Sequence, residues 1–114
     1  MKEVDWNTKE NNQLIKAVLA LKNADEAKRF LRDLMTEKDI KEFANRLEAA
    51  RLLSKDVQYN AIIESTGLSS TTIARISKWL KGSLGGYRLI IARLSKSSLH
   101  HTPSKLGKGL RLSS

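Results

Sequence analysis

Within residues 70–81 the side chains able to bind another molecule sort themselves by angle. At 3.6 residues per turn, Thr71, Ala74, Arg75 and Lys78 share one face, with Ser70 and Lys81 beside them. Ile73, Ile76 and Leu80 point the opposite way. The outer face offers hydroxyls, a methyl and cations, which suit phosphate oxygens, base edges and thymine methyls in a DNA major groove. A solvated surface helix more often mixes acids among its cations, yet no Asp or Glu follows Glu64 anywhere in the chain.

Other chemistries find little to work with. Cysteine is absent, which excludes disulfides and thiolate metal sites and fits a reducing cytoplasm. The one histidine pair, His100–His101, lies in a Ser/Lys/Gly-rich stretch without neighbouring carboxylates, so neither a metal site nor a hydrolytic triad is expected. No strand precedes a glycine-rich phosphate loop. The reading is therefore of a protein that is not an enzyme and needs no cofactor or metal. The N-terminus lacks an apolar signal core and no apolar run approaches a bilayer span, so no membrane partner and a cytoplasmic location are expected.

Charge supports a polyanionic partner. The net charge is +9. Residues 1–55 carry 12 Lys/Arg against 10 Asp/Glu, whereas residues 56–114 carry 9 against 2. The second half is thus a one-sided basic field.

The elements that must position this face read as all-α. Leu14, Ile15, Val18 and Leu21 recur at helical spacing and predict a first helix over 8–22. Asn23 with Glu26 is a capping pair for a second helix to Met35. Thr36 with Asp39 opens a third, through Ile40, Phe43, Ala44, Leu47 and Ala50. After the polar break Ser54-Lys55-Asp56, two short helices are predicted, over 57–65 and from Ser69 or Ser70 to Lys81. Between them Gly67 supplies a turn, Leu68 plugs the angle, and Ser69 or Ser70 caps the next helix. That is a helix-turn-helix over about 57–81. A last helix is expected over 87–94, closing a domain of residues 1–94, with residues 95–114 a basic, disordered tail.

The stretch from Leu34-Met35-Thr36 through Arg46, Gly67 and Thr71-Thr72-Ile73-Ala74-Arg75 to Leu80-Lys81 resembles the Trp repressor family, and within it the YerC/YecD group of Trp-repressor-related proteins. The resemblance covers residues 6–94 and is strongest over 34–81. It implies about six helices in an interlocked homodimer, the first three and the last entwined with a second copy. Two recognition helices would then face successive major grooves of a pseudo-palindromic operator, with half-sites about one turn of double-stranded DNA apart. It also implies an effector pocket between the third helix and the recognition helix. There Arg46 would stack on a free tryptophan, Arg75 would flank its ring and carboxylate, and Thr36 would touch it.

The departures bear on that pocket. Ile76 stands where tryptophan-responsive members have glycine, and Trp79 where they have a small serine. Either the Trp79 indole fills volume meant for the ligand, or Trp79 is a plain hydrophobic anchor and the pocket is gone. In both cases tryptophan is not expected as co-repressor, and whether another small effector binds stays open. Ile62 and Ile63 occupy positions near which the family places a phosphate-contacting base. Backbone contacts from the first helix of the motif thus fall to Gln58, Tyr59 or Asn60. The expected DNA surface is Gln58, Asn60, Ser70, Thr71, Thr72, Ala74, Arg75, Lys78 and Lys81. The function expected is a sequence-specific transcriptional regulator, with repression the favoured sign. The alternatives are a helix-turn-helix scaffold serving as a protein-interaction module, or an architectural DNA binder of low specificity.

Overall fold

The structure is a computed structural model that describes residues 3–100, with side chains through Lys96. Six helices and no strands occur among the described residues: α1 (Lys9–Ala20), α2 (Ala24–Leu34), α3 (Glu37–Ser54), α4 (Tyr59–Thr66), α5 (Ser70–Leu80) and α6 (Gly86–His100). None of these helices is long and apolar enough to cross a membrane. They fall into two units, one through Thr36 and one from Glu37.

The first unit holds α1 and α2, each started by a side-chain cap. The Thr8 hydroxyl accepts the Asn11 amide at 3.1 Å. At α2 the Asn23 side chain accepts the Glu26 amide at 2.9 Å, and the Glu26 carboxylate reaches back to accept the Lys22 amide, also at 2.9 Å. The expected pair is thus a reciprocal box, displaced by one residue on its return arm from the usual pattern. Neither helix has a buried residue. Leu14, Ile15, Val18 and Leu19 of α1 and Leu31 and Leu34 of α2 are all exposed, with Trp6 just before them.

The second unit contains the core. Ala49 and Ala50 of α3, Ile62 of α4, Leu68 of the turn, and Ile73 and Ile76 of α5 form one buried cluster. The two alanines let α4 and α5 approach the α3 backbone closely. Leu52, Leu53, Val57, Ile63, Tyr87 and Ile91 pack around it, so α6 is fastened through Tyr87 and Ile91.

α3 stops in a Schellman arrangement. The Val57 amide donates to the Leu52 carbonyl at 3.1 Å and the Asp56 amide to Leu53 at 3.0 Å. Asp56 takes the left-handed position, φ 61°, as the one non-glycine residue with positive φ among those described. Aspartate tolerates this better than most L-residues. The expected polar break is therefore real but later by a residue, because Ser54 remains in α3 with its hydroxyl donating to the Arg51 carbonyl at 2.6 Å.

The last helix is longer than its sequence signal. It runs through Ser95 to His100, so the boundary expected at Leu94 falls inside it. The Ser and Lys residues there carry no helix breaker before Pro103, and their polarity alone does not end a helix. The rest of the stretch expected to be a disordered tail, with His101, lies outside the described residues.

Candidate DNA-reading surface

α4, the turn and α5 build the surface. α4 ends at Gly67, which adopts φ 75° and ψ 6° and donates its amide to the Ile63 carbonyl at 2.8 Å. A Cβ added to Gly67 would meet nothing within 4 Å, so its requirement is torsional. Thr66, buried, wires the same turn in a way sequence reading missed. Its hydroxyl donates to the Ile62 carbonyl at 2.7 Å and accepts the Leu68 amide at 3.2 Å. Leu68 is buried between the helices, as its place after the glycine predicted.

Ser69 is the N-cap of α5, resolving the choice between Ser69 and Ser70. Its Oγ accepts the Thr72 amide at 3.1 Å and donates to the Thr72 hydroxyl at 3.0 Å. Ser70 is thereby released to be the first helical residue, exposed.

Anchored by Ile73 and Ile76, α5 turns its other face outward. Ser70, Thr71, Ala74, Arg75, Lys78 and Lys81 are all exposed, while Thr72 is half-buried and held by Ser69. Ion pairs among the described residues join Asp25 to Arg29, Glu42 to Arg46 and Glu48 to Arg51, all within α2 or α3. The cations of α5 thus carry no ion pair there, so their fields face solvent. Gln58, the N-cap residue of α4, makes no capping hydrogen bond with its side chain; it and Asn60 are exposed at the start of that helix, beside Tyr59.

The residues expected around an effector are distributed differently. Ile76 is only 4% exposed and belongs to the core. Trp79 keeps about half its surface open, at 52%. Arg46 is held on its own helix, with Nε donating to the Glu42 carboxylate at 2.9 Å and its guanidinium 5.5 Å from the Phe43 ring centre. It also lies near enough to Tyr87 to favour phenolate there, but burial dominates and pushes the Tyr87 phenol above its ordinary value. Arg75 is exposed. Thr36 closes the N-terminal unit, whereas the other four lie in the C-terminal one. Two open grooves cut the C-terminal unit, one between α3 and α6 and one where the end of α3 meets Tyr59, Ser77, Leu80 and Lys81. Neither is lined by Arg46, Arg75, Ile76 or Trp79.

A second feature without a sequence expectation closes the far end of α5. Arg88 Nη1 donates to the Leu80 carbonyl at 2.6 Å and to the Gly82 carbonyl at 2.7 Å. A cation a few residues beyond a helix C-terminus was the available signal, but only the return of α6 makes it reach.

Known proteins agree with this architecture. Residues 9–95 match the family described as Trp repressor protein. The uncharacterized protein YerC of Bacillus subtilis (strain 168) is 36% identical over 89 residues, covering 78% of this chain and 86% of that one. A crystal structure of a TrpR-like protein from Eubacterium eligens superimposes with a TM-score of 0.74 at 36% identity, covering 79% of this chain and 93% of that one. With the match running from the start of α1 into α6 and including the turn between α4 and α5, the chain belongs to the Trp repressor family.

Proposed function

We propose that this chain is a sequence-specific DNA-binding transcriptional regulator and not an enzyme. It acts as a homodimer and represses by occupying a pseudo-palindromic operator that overlaps a promoter. The observation that carries the reading is the outer face of α5: Thr71, Ala74, Arg75, Lys78 and Lys81 exposed together, with no ion pair on these cations among the described residues. Arg75 and Lys78 contact phosphates or guanine edges; Ser70, Thr71, Thr72 and Ala74 lie at or near base edges, and Lys81 adds a phosphate contact. Gln58 and Asn60 set α4 on the backbone.

The apolar surface supports the dimer. Six large apolar side chains of α1 and α2 are exposed, as are Phe43 of α3 and Leu89, Ile90 and Leu94 of α6. Covering a side chain of this kind contributes about 1.5–3 kcal/mol. A second copy supplies the cover, and the C2 symmetry that results matches a pseudo-palindrome.

Regulation by tryptophan does not fit. The position at which responsive relatives leave space holds Ile76, committed to the core, and Trp79 adds an indole beside it. The chain reads DNA without an amino-acid co-repressor.

The deciding experiment is an in vitro selection with the purified chain, a random duplex library, moderate salt and no added amino acid. Enrichment of a pseudo-palindrome with half-sites about one turn apart is the expected outcome. Binding with a steep salt dependence but no preferred sequence would make the protein an architectural binder. No DNA binding at all, with or without cell extract, would leave a protein-interaction module.

A further inference from the structure

Arg88 is the third residue of α6, a helix fastened to the core by Tyr87 and Ile91. From that rigid base its guanidinium reaches back across the 81–85 turn to the end of α5. Leu80 is the last residue of α5, so its carbonyl is among those the helix leaves without an internal partner. The bonds of 2.6 Å to Leu80 and 2.7 Å to Gly82 satisfy that carbonyl and its neighbour with one nitrogen. They also set a cation against the negative end of the α5 dipole.

The seat for the guanidinium is built. Gly85 is buried with φ 68°, and a Cβ there would come within 2.5 Å of Arg88 Nη2 and 3.1 Å of Cζ. Glycine at this left-handed position lets the guanidinium lie across the turn where it does; a side chain there would shift it. No ion pair among the described residues involves Arg88.

We propose that Arg88 is a positioning residue for DNA reading: a clasp that ties the C-terminal turn of α5 to α6 and so fixes where Lys78 and Lys81 stand. The inference rests on the reading of α5 as the DNA-facing helix. The clasp is internal to the chain, so the recognition helix is held in place without a bound effector.

The test uses the full chain as wild type, Arg88→Gln and Arg88→Lys, with two readouts. One is amide hydrogen exchange at Lys81 and Gly82 without DNA. The other is titration of the selected duplex over a series of salt concentrations. Arg88→Gln is expected to speed exchange roughly ten- to a hundredfold. It should weaken duplex binding about tenfold while leaving the log–log salt slope as in wild type. Arg88→Lys keeps the charge and falls between the two in both readouts. A slope shallower by about 0.9 in Arg88→Gln would make Arg88 a direct phosphate contact and overturn the proposal. Faster exchange with unchanged affinity would reduce it to a structural cap and also overturn it. If Arg88→Gln does not fold, the intermediate behaviour of Arg88→Lys decides the matter. If wild type selects no duplex, the functional reading has failed, and exchange at the end of α5 judges the clasp alone.

Discussion

The Thr66 hydroxyl accepts the Leu68 amide at 3.2 Å, closing the bend between α4 and α5 from inside. Both groups are buried, so neither has water to fall back on. Thr66→Val keeps the approximate volume but orphans the Leu68 N–H, and is expected to destabilise by about 1–3 kcal/mol. Thr66→Ser keeps the acceptor and should cost less. Urea unfolding of the two variants measures the difference, and equal costs would contradict the assignment.

Asp56 invites a gain of stability. It holds a left-handed conformation that costs an L-residue roughly 1–2 kcal/mol, and it places an acid at the negative end of α3. Asp56→Gly should raise stability by about 1 kcal/mol, seen as a higher denaturant midpoint with an unchanged slope.

Lys78 and Arg75 should separate from the fold cleanly. Alanine at both positions is expected to abolish duplex binding while the oligomeric state by light scattering stays that of wild type. Lys78→Ala alone should lower the log–log salt slope by about 0.9 if it neutralises one phosphate. Binding that survives the double change would move the DNA surface elsewhere.

For tryptophan, calorimetry is expected to give no micromolar binding to wild type. Ile76→Gly with Trp79→Ser should open a site, at a stability cost of at least about 2–5 kcal/mol because Ile76 is a core residue. A heat of binding in wild type would contradict the reading of these two side chains.

Alkaline unfolding should report on Tyr87. Burial raises its phenol pKa in the folded chain. The unfolded chain then releases its proton first, at about pH 10. The resulting stability is full below that value and is lost as pH rises through the raised folded pKa. Tyr87→Phe should flatten this part of the pH–stability curve relative to wild type; identical curves would place the phenol in solvent.

How much of this was legible depended on whether the signal was local. Gly67, Leu68 and Ser69 announce the turn because each acts on its own backbone. The Asn23–Glu26 cap and the two faces of α5 follow from spacing alone. Thr66 was not legible, because a threonine ending a helix looks the same whether its hydroxyl faces water or a buried amide. Arg88 was not legible either: its partners lie eight and six residues back, brought close only by the return of α6. The extent of α6 exceeds its sequence signal because serine and lysine have the composition of a tail, though neither forbids helix. The exposed apolar residues of α1 and α2 were visible as a pattern, but their lack of burial in one chain was not.

The two left-handed glycines differ in what constrains them. Around Gly67 there is open space, so an asparagine arising there by mutation would meet only a torsional cost. Gly85 faces the Arg88 guanidinium, so a side chain there would add a shift of that group to the torsional cost. A change at position 67 thus answers to its own backbone alone. At position 85 a new side chain and the Arg88 guanidinium would compete for one space, so a change there displaces the arginine as well as straining the backbone.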